Sequence, residues 1–143
     1  MAQTLIIEDK LAAWVAALPL VASRAGGRVF PWAEVPQGGP FPFVLYQRVG
    51  GGRMRSLKGP TARVSKPRFQ WDVIAREYRD AKEVAEAIAL ALETLQGTTL
   101  QGTKVQYVQV RDVRDMAADP MHGDGEYEPR VMIDTELWFE EGS

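Results

Sequence analysis

Four stretches of this 143-residue chain alternate apolar and polar residues, and they fall into two pairs separated by a single long helical stretch. In the first pair, Phe43 to Val49 sets Phe43, Leu45 and Val49 against Val44, Tyr46 and Arg48, and Phe69, Trp71, Val73 and Ala75 alternate with Gln70, Asp72 and Ile74. In the second, Thr103 to Val113 sets Val105, Tyr107 and Gln109 against Gln106, Val108 and Val110. Arg130 to Glu140 sets Val131, Ile133, Leu137 and Phe139 against Met132, Asp134, Glu136 and Trp138. Two strand pairs flanking a helix predict an α+β fold, because hairpins join antiparallel neighbours while parallel ones need a long crossover. We expect an antiparallel or mixed sheet of about four to five strands, with two helices packed on one face and a long hairpin loop. At this length, residues 1–143 are expected to form a single domain burying about two-thirds of the surface an unfolded chain exposes.

The long helix is predicted from Asp80 to Leu95, with Ala81, Val84, Ala85, Ile88, Leu92 and Leu95 along one stripe. Asp80 followed by Glu83 has the spacing of a capping box, and Gly97 is placed to close the C-terminus. A shorter helix is predicted from about Glu8 to Leu18, ending near Pro19, with Leu11, Trp14, Val15 and Leu18 at helical spacing. Glu8 and Asp9 suit its first turn, where free backbone N–H groups favour negative charge. A short strand, Arg28 to Phe30, leads into an irregular loop containing Pro31, Pro36, Pro40 and Pro42.

Charge is distributed unevenly. Arg48, Arg53, Arg55, Lys58, Arg63, Lys66 and Arg68 lie in one stretch with no acid among them, while the whole chain carries a net charge of −2. Read as a loop between two aromatic strands, this stretch suits gripping something negative, either nucleic acid or an acidic face of another subunit. The overall negative charge opposes a protein coated with nucleic acid over its whole surface. The absence of cysteine removes disulfides, thiolate nucleophiles and thiolate metal sites. No apolar run approaches the roughly 20 residues of a spanning helix, so no membrane partner is expected and the chain reads as soluble and unprocessed.

Enzyme chemistry finds little support. His122, in Asp119-Pro-Met-His-Gly-Asp124-Gly-Glu126, is the single histidine, and the acids around it lack the spacing of a calcium loop. Asp72 and Asp134 each lie in a predicted strand, where a solvent-facing row shared with Arg48 or Lys104 explains them better than an acid/base pair. Gly50-Gly51-Gly52-Arg53 does not end in Gly-Lys-Ser/Thr and opens no helix, so it reads as a flexible loop base and not a phosphate cradle. Trp14, Trp71 and Trp138 read as core or interface aromatics. No catalytic, cofactor or metal residue is expected.

Gly27-Arg28-Val29-Phe30-Pro31, Pro40-Phe41-Pro42-Phe43-Val44-Leu45-Tyr46-Gln47-Arg48, Phe69-Gln70-Trp71-Asp72-Val73 and the helix start at Tyr78-Arg79-Asp80-Ala81 together resemble the tail-completion, or tail-terminator, proteins of long-tailed bacteriophages. The final strand, with alternating acids and aromatics ending in Trp138-Phe139, is similar as well, although the segment from Met116 to Pro129 is longer than the family pattern. The resemblance implies a non-enzymatic virion protein: a homo-oligomeric ring, usually of six subunits, that ends the tail tube and meets the head connector. It implies as partners further copies of the chain, the tail-tube protein and a connector or stopper protein, with non-specific contact to passing DNA as a second role of the basic stretch. In a head-to-tail ring that stretch can meet an acidic surface made by Asp112, Asp115, Asp119, Asp124, Glu126 and Glu128. The alternatives are a stopper protein of the neck, or a small nucleic-acid-binding module that stacks bases on Tyr46, Phe69 or Trp71.

Overall fold

In the computed structural model, which describes residues 6–34, 40–55, 63–116 and 128–141 and only the backbone of 51–55, 63 and 141, the two expected strand pairs form one mixed sheet. Its strands are β1 (Val29–Pro31), β2 (Phe43–Arg55), β3 (Arg63–Ile74), β4 (Thr99–Leu100), β5 (Thr103–Met116) and β6 (Arg130–Glu141), in the order β1-β2-β3-β6-β5-β4. Only β1 and β2 run parallel; every other neighbouring pair is antiparallel. The sheet thus has one strand more than the expected upper number. The addition, β4, is two residues long and too short to carry any periodicity.

The basic stretch is mostly strand, which corrects its reading as a loop. Arg48, Arg53 and Arg55 lie on β2, and Arg63, Lys66 and Arg68 lie on β3, while Lys58 falls outside the described residues. Gly50 to Gly52 interrupt the apolar alternation, but glycine keeps both of its backbone hydrogen-bonding groups and pairs as any residue does. A bulge between Arg48 and Gly50 absorbs the irregularity and keeps β2 in register to Arg55, opposite Arg63. Pro67 stands opposite Gly51 in the ladder with β2, whereas the ladder between β3 and β6 skips Lys66 and Pro67, where proline has no N–H to give.

Three helices cover one face of this sheet. Helix α1 (Ile7–Ala16) buries Leu11 and Val15 of the expected stripe, together with Ile7, while Trp14 is partly buried and Leu18 lies past its end as the N-cap of the next helix. Pro19 then opens α2 (Pro19–Arg24), because the missing N–H costs nothing in a first turn and the fixed φ is already helical. Helix α3 (Tyr78–Glu93) buries Ala81, Val84, Ala85, Ile88, Ala89 and Leu92. Its capping box does not form: the N-cap is Glu77, without a side-chain cap bond, and Asp80 already lies in the first turn. Both carboxylates engage Arg24 of α2 instead, Asp80 at 3.5 Å and Glu83 at 2.5 Å. Gly97, at φ +81°, lies beyond the C-cap residue Thr94 and donates its N–H to the Val105 carbonyl at 2.9 Å, turning the chain toward β4.

The main core joins the helix stripes to Val44, Tyr46, Phe69, Trp71, Val73, Val131, Ile133, Leu137 and Phe139 on the covered face. Trp71 is its largest fully buried side chain, with its ring 5.6 Å from Tyr46 and 6.2 Å from Phe69. A smaller cluster of Phe43, Leu45 and Ile74, with Phe30 and Phe41 against it, seals one corner of the opposite face.

Candidate assembly surface

Outside that corner, the sheet face turned away from the helices is a ladder of charged and aromatic side chains. Period-two alternation places Lys66, Arg68, Gln70 and Asp72 of β3 in one row, beside Arg130, Met132, Asp134, Glu136, Trp138 and Glu140 of β6. Antiparallel pairing then sets opposite charges side by side. Arg68 Nη2 lies 2.5 Å from Asp134 Oδ2 and Arg130 Nη1 lies 3.4 Å from Asp72 Oδ2, while Lys66 Nζ stands 4.0 Å above the Trp138 ring. β5 extends the ladder through Arg111 to Glu136 at 3.4 Å, Gln106 to Glu140 at 2.8 Å and the Tyr107 ring 4.9 Å from Trp138. The Arg68 contact is not a two-point fork, because Arg68 Nε and Asp134 Oδ1 are both buried without a hydrogen-bond partner.

Asp72 is the buried member of this ladder, with 7% of its surface exposed. Burial pushes its carboxyl above the usual value, and the hydrogen bond from Gln70 Nε2 at 3.0 Å and the Arg130 charge oppose that shift. Asp72 and Asp134 lie on the same sheet face in the neighbouring rows of β3 and β6, but Asp72 is buried and not solvent-facing as expected, and their cations are Arg130 and Arg68 and not Arg48 or Lys104. Arg48 sits on the helix-covered side of β2 and donates to Ser65 Oγ at 3.5 Å.

The basic residues therefore divide into two groups. Lys66 and Arg68 are engaged within the chain, and Arg63 stands opposite Glu141 in the register. Arg53 and Arg55 reach the end of the sheet where β2 and β3 approach their connection, which contains Lys58. The acids read as their complement start from the other end: Met116 pairs with Arg130, opposite Ile74 and far from Arg63. Of these acids, Asp115 accepts from Tyr78 Oη at 3.0 Å and meets Lys82 Nζ at 3.5 Å, and Asp112 lies 3.7 Å from Arg114. The hydrogen bond to Asp115 raises the Tyr78 phenol. Burial lowers Lys82, but Asp115, Tyr78 and Glu86 more than offset it, so that ammonium is raised. Glu128 carries a buried, unpartnered Oε2, while Asp119, His122, Asp124 and Glu126 lie outside the described residues.

Two consequences follow for recognition. Tyr46, Phe69 and Trp71, the stacking surfaces of a nucleic-acid module, are 8%, 1% and 1% exposed beneath the helices, so none offers a face to a base. On the open sheet face, Lys66, Arg68, Arg111, Arg114 and Arg130 are balanced by Asp72, Asp112, Asp134, Glu136 and Glu140, which leaves no positive track for phosphates among the described residues. Within the basic stretch, Arg68 is neutralised by Asp134 of β6.

The fold is similar to that of a chain from the virion of the native gene transfer agent (GTA) particle, with a TM-score of 0.65 at 17% identity over 92% of this chain and 93% of that one. A comparison with curated proteins yields no match. The family described as Tail completion protein gp17 matches residues 9–131, from the first helix into the last strand. That match spans most of the sequence, so the chain belongs to the tail completion gp17 family and is a structural protein of the bacteriophage tail, carried in the virion.

Proposed function

We propose that the protein forms a homo-oligomeric ring, of six subunits, that terminates the phage tail tube and joins it to the head connector. The observation that carries this reading is the family match over residues 9–131. The polarity of the subunit supports it. Arg53, Arg55 and Lys58 gather at or beyond one end of the long strands, and Asp115 and Glu128 flank the other. A ring of such subunits has two chemically different rims, as a part that meets the tube on one side and the connector on the other requires. The basic stretch is then an assembly arm, with Arg53, Arg55 and Lys58 facing a partner protein.

Tail-tube protein polymerised with and without this protein, and imaged in negative stain, tests the reading. The expected result is tubes that carry a terminal ring at one end only and stop growing there. Tubes that elongate unchanged, with the protein remaining in solution, contradict it.

A further inference from the structure

One margin of the subunit holds carboxylates that the chain leaves without cations. Pro31 of β1 pairs with Tyr46 of β2, the turn Trp32–Glu34 follows at once and contacts β2, and α1 packs against β1. This places Glu8 and Asp9, in the first turn of α1, and Glu34, in the turn after β1, about the Tyr46 phenol. Tyr46 is only 8% exposed, yet its hydroxyl makes no hydrogen bond among the described residues. Burial pushes that phenol up, and the charges of Asp9, Glu34 and Glu8 push it the same way. The cations of the adjoining segments are turned elsewhere. Lys10 Nζ donates to Thr103 Oγ1 at 2.6 Å, Arg28 Nε to the Pro42 carbonyl at 3.1 Å and Arg48 Nη2 to Ser65 Oγ at 3.5 Å. Among the described residues none of the three acids has an ion-pair partner. The N-terminus of α1 accounts for Glu8 and Asp9 through its free N–H groups, but not for Glu34 or for the unpartnered hydroxyl. Trp32, 60% exposed in the same turn as Glu34, adds an aromatic face.

We propose that Glu8, Asp9, Glu34 and the Tyr46 hydroxyl receive a guanidinium group from a second copy of this chain, supplied by Arg53 or Arg55 at the far end of its β2, with Trp32 beside it. This inference rests on the ring reading above and names one contact within such a ring. A guanidinium fits because its planar fork donates to several oxygens at once and stacks on an aromatic face. Glu8, Asp9 and Glu34 form a negative patch, and the stretch from Arg48 to Arg68 is where the chain concentrates positive charge without an acid. The guanidinium of Arg53 cannot come from the same copy. β2 stays in register with β3 from Tyr46, opposite Trp71, to Arg53, opposite Ser65. That places Arg53 about 20 Å along the ladder at ~3.3 Å per residue, farther than an arginine side chain extends, and Arg55 lies farther still. Arm and receptor are different surfaces, so the contact is heterologous and passes from copy to copy in one direction, as a ring requires.

Charge exchange tests the contact, read by native mass spectrometry over a dilution series, with thermal unfolding of each variant as the check on folding. Glu34→Arg is expected to raise the concentration needed for half-assembly by at least about tenfold, and so is Arg53→Glu with Arg55→Glu, because each reversal sets like charges together. All three substitutions combined are expected to recover most of that loss. Tyr46→Phe keeps the buried ring and removes only the hydroxyl, so it reports on the receptor without reversing a charge, and its expected effect is about threefold to tenfold. Assembly unchanged by both Glu34→Arg and Tyr46→Phe overturns the receptor and leaves the ring standing. A combined variant that assembles no better than either reversal alone overturns Arg53 and Arg55 as donors, and the proposal with them. Monomers of the parent protein, alone and with tail-tube protein, overturn the ring reading and this inference together.

Discussion

Replacing Trp71 with alanine is expected to lower the stability of the subunit by about 3–5 kcal/mol, the range for an aromatic removed from a packed core. Trp71 lies on β3, one of the two central strands, is 1% exposed, and fills the space between Tyr46, Phe69 and the helices. Its Nε1 donates to Thr135 Oγ1 at 3.3 Å, and Thr135 in turn donates to the Phe69 carbonyl at 3.3 Å, so truncation removes a hydrogen bond as well as the ring. Against a total of about 5–15 kcal/mol for a domain, this loss is large, and it corresponds to a fall in Tm of about 10–20 °C. Trp71→Phe keeps most of the apolar volume and leaves Thr135 its bond to Phe69, so its cost is expected to be about 1–2 kcal/mol. Thermal unfolding of the two variants checks the order. Equal losses would show that the indole is not seated in the core as described.

That tryptophan was legible from the sequence because period-two alternation and aromatic content agree at Phe69, Trp71 and Val73. Helix α3 was legible for a parallel reason, its apolar stripe running unbroken for four turns. Other features were misread where a local signal has two physical meanings. Pro19 ends one helix but also opens the next, and a residue-by-residue reading registers only the end. Gly50 to Gly52 resemble a loop base, yet in β2 they keep full ladder pairing, and the tertiary support of β3 settles which state wins. The partners of the basic stretch depended on register, which spacing alone does not supply. The rows nevertheless contain it. β3 reads positive to negative from Lys66 to Asp72, and β6 reads positive to negative from Arg130 to Glu140, so only antiparallel alignment places Asp72 by Arg130 and Arg68 by Asp134.

The second large effect is electrostatic. Arg130→Ala is expected to destabilise the subunit by about 2–3 kcal/mol at neutral pH, toward the lower end for a broken buried pair because Arg130 keeps 30% of its side chain exposed against 11% for Asp72. The cost has a pH signature. Burial holds the folded-state pKa of Asp72 above its unfolded value, so its ionised form opposes folding, and removing the Arg130 charge raises that pKa further. The deficit of the variant relative to the parent is then full above the raised folded pKa. It shrinks as pH falls through the folded-state value of the variant toward that of the parent, and is lost below both, where the carboxyl is neutral in either folded protein. Urea unfolding of both proteins at pH 7 and pH 4 measures this difference. A deficit that stays constant between the two pH values would assign the loss to packing of the arginine stem and not to the stranded carboxylate.

Trp71 and the Asp72–Arg130 pair hold the sheet together within one subunit. The central claim, that this tail completion protein works as a closed ring, is tested most directly by native mass spectrometry of the purified protein at micromolar concentration, alone and with tail-tube protein. The account predicts one dominant closed oligomer with the mass of six chains, whereas a monomer that persists even when tail-tube protein is present would contradict it.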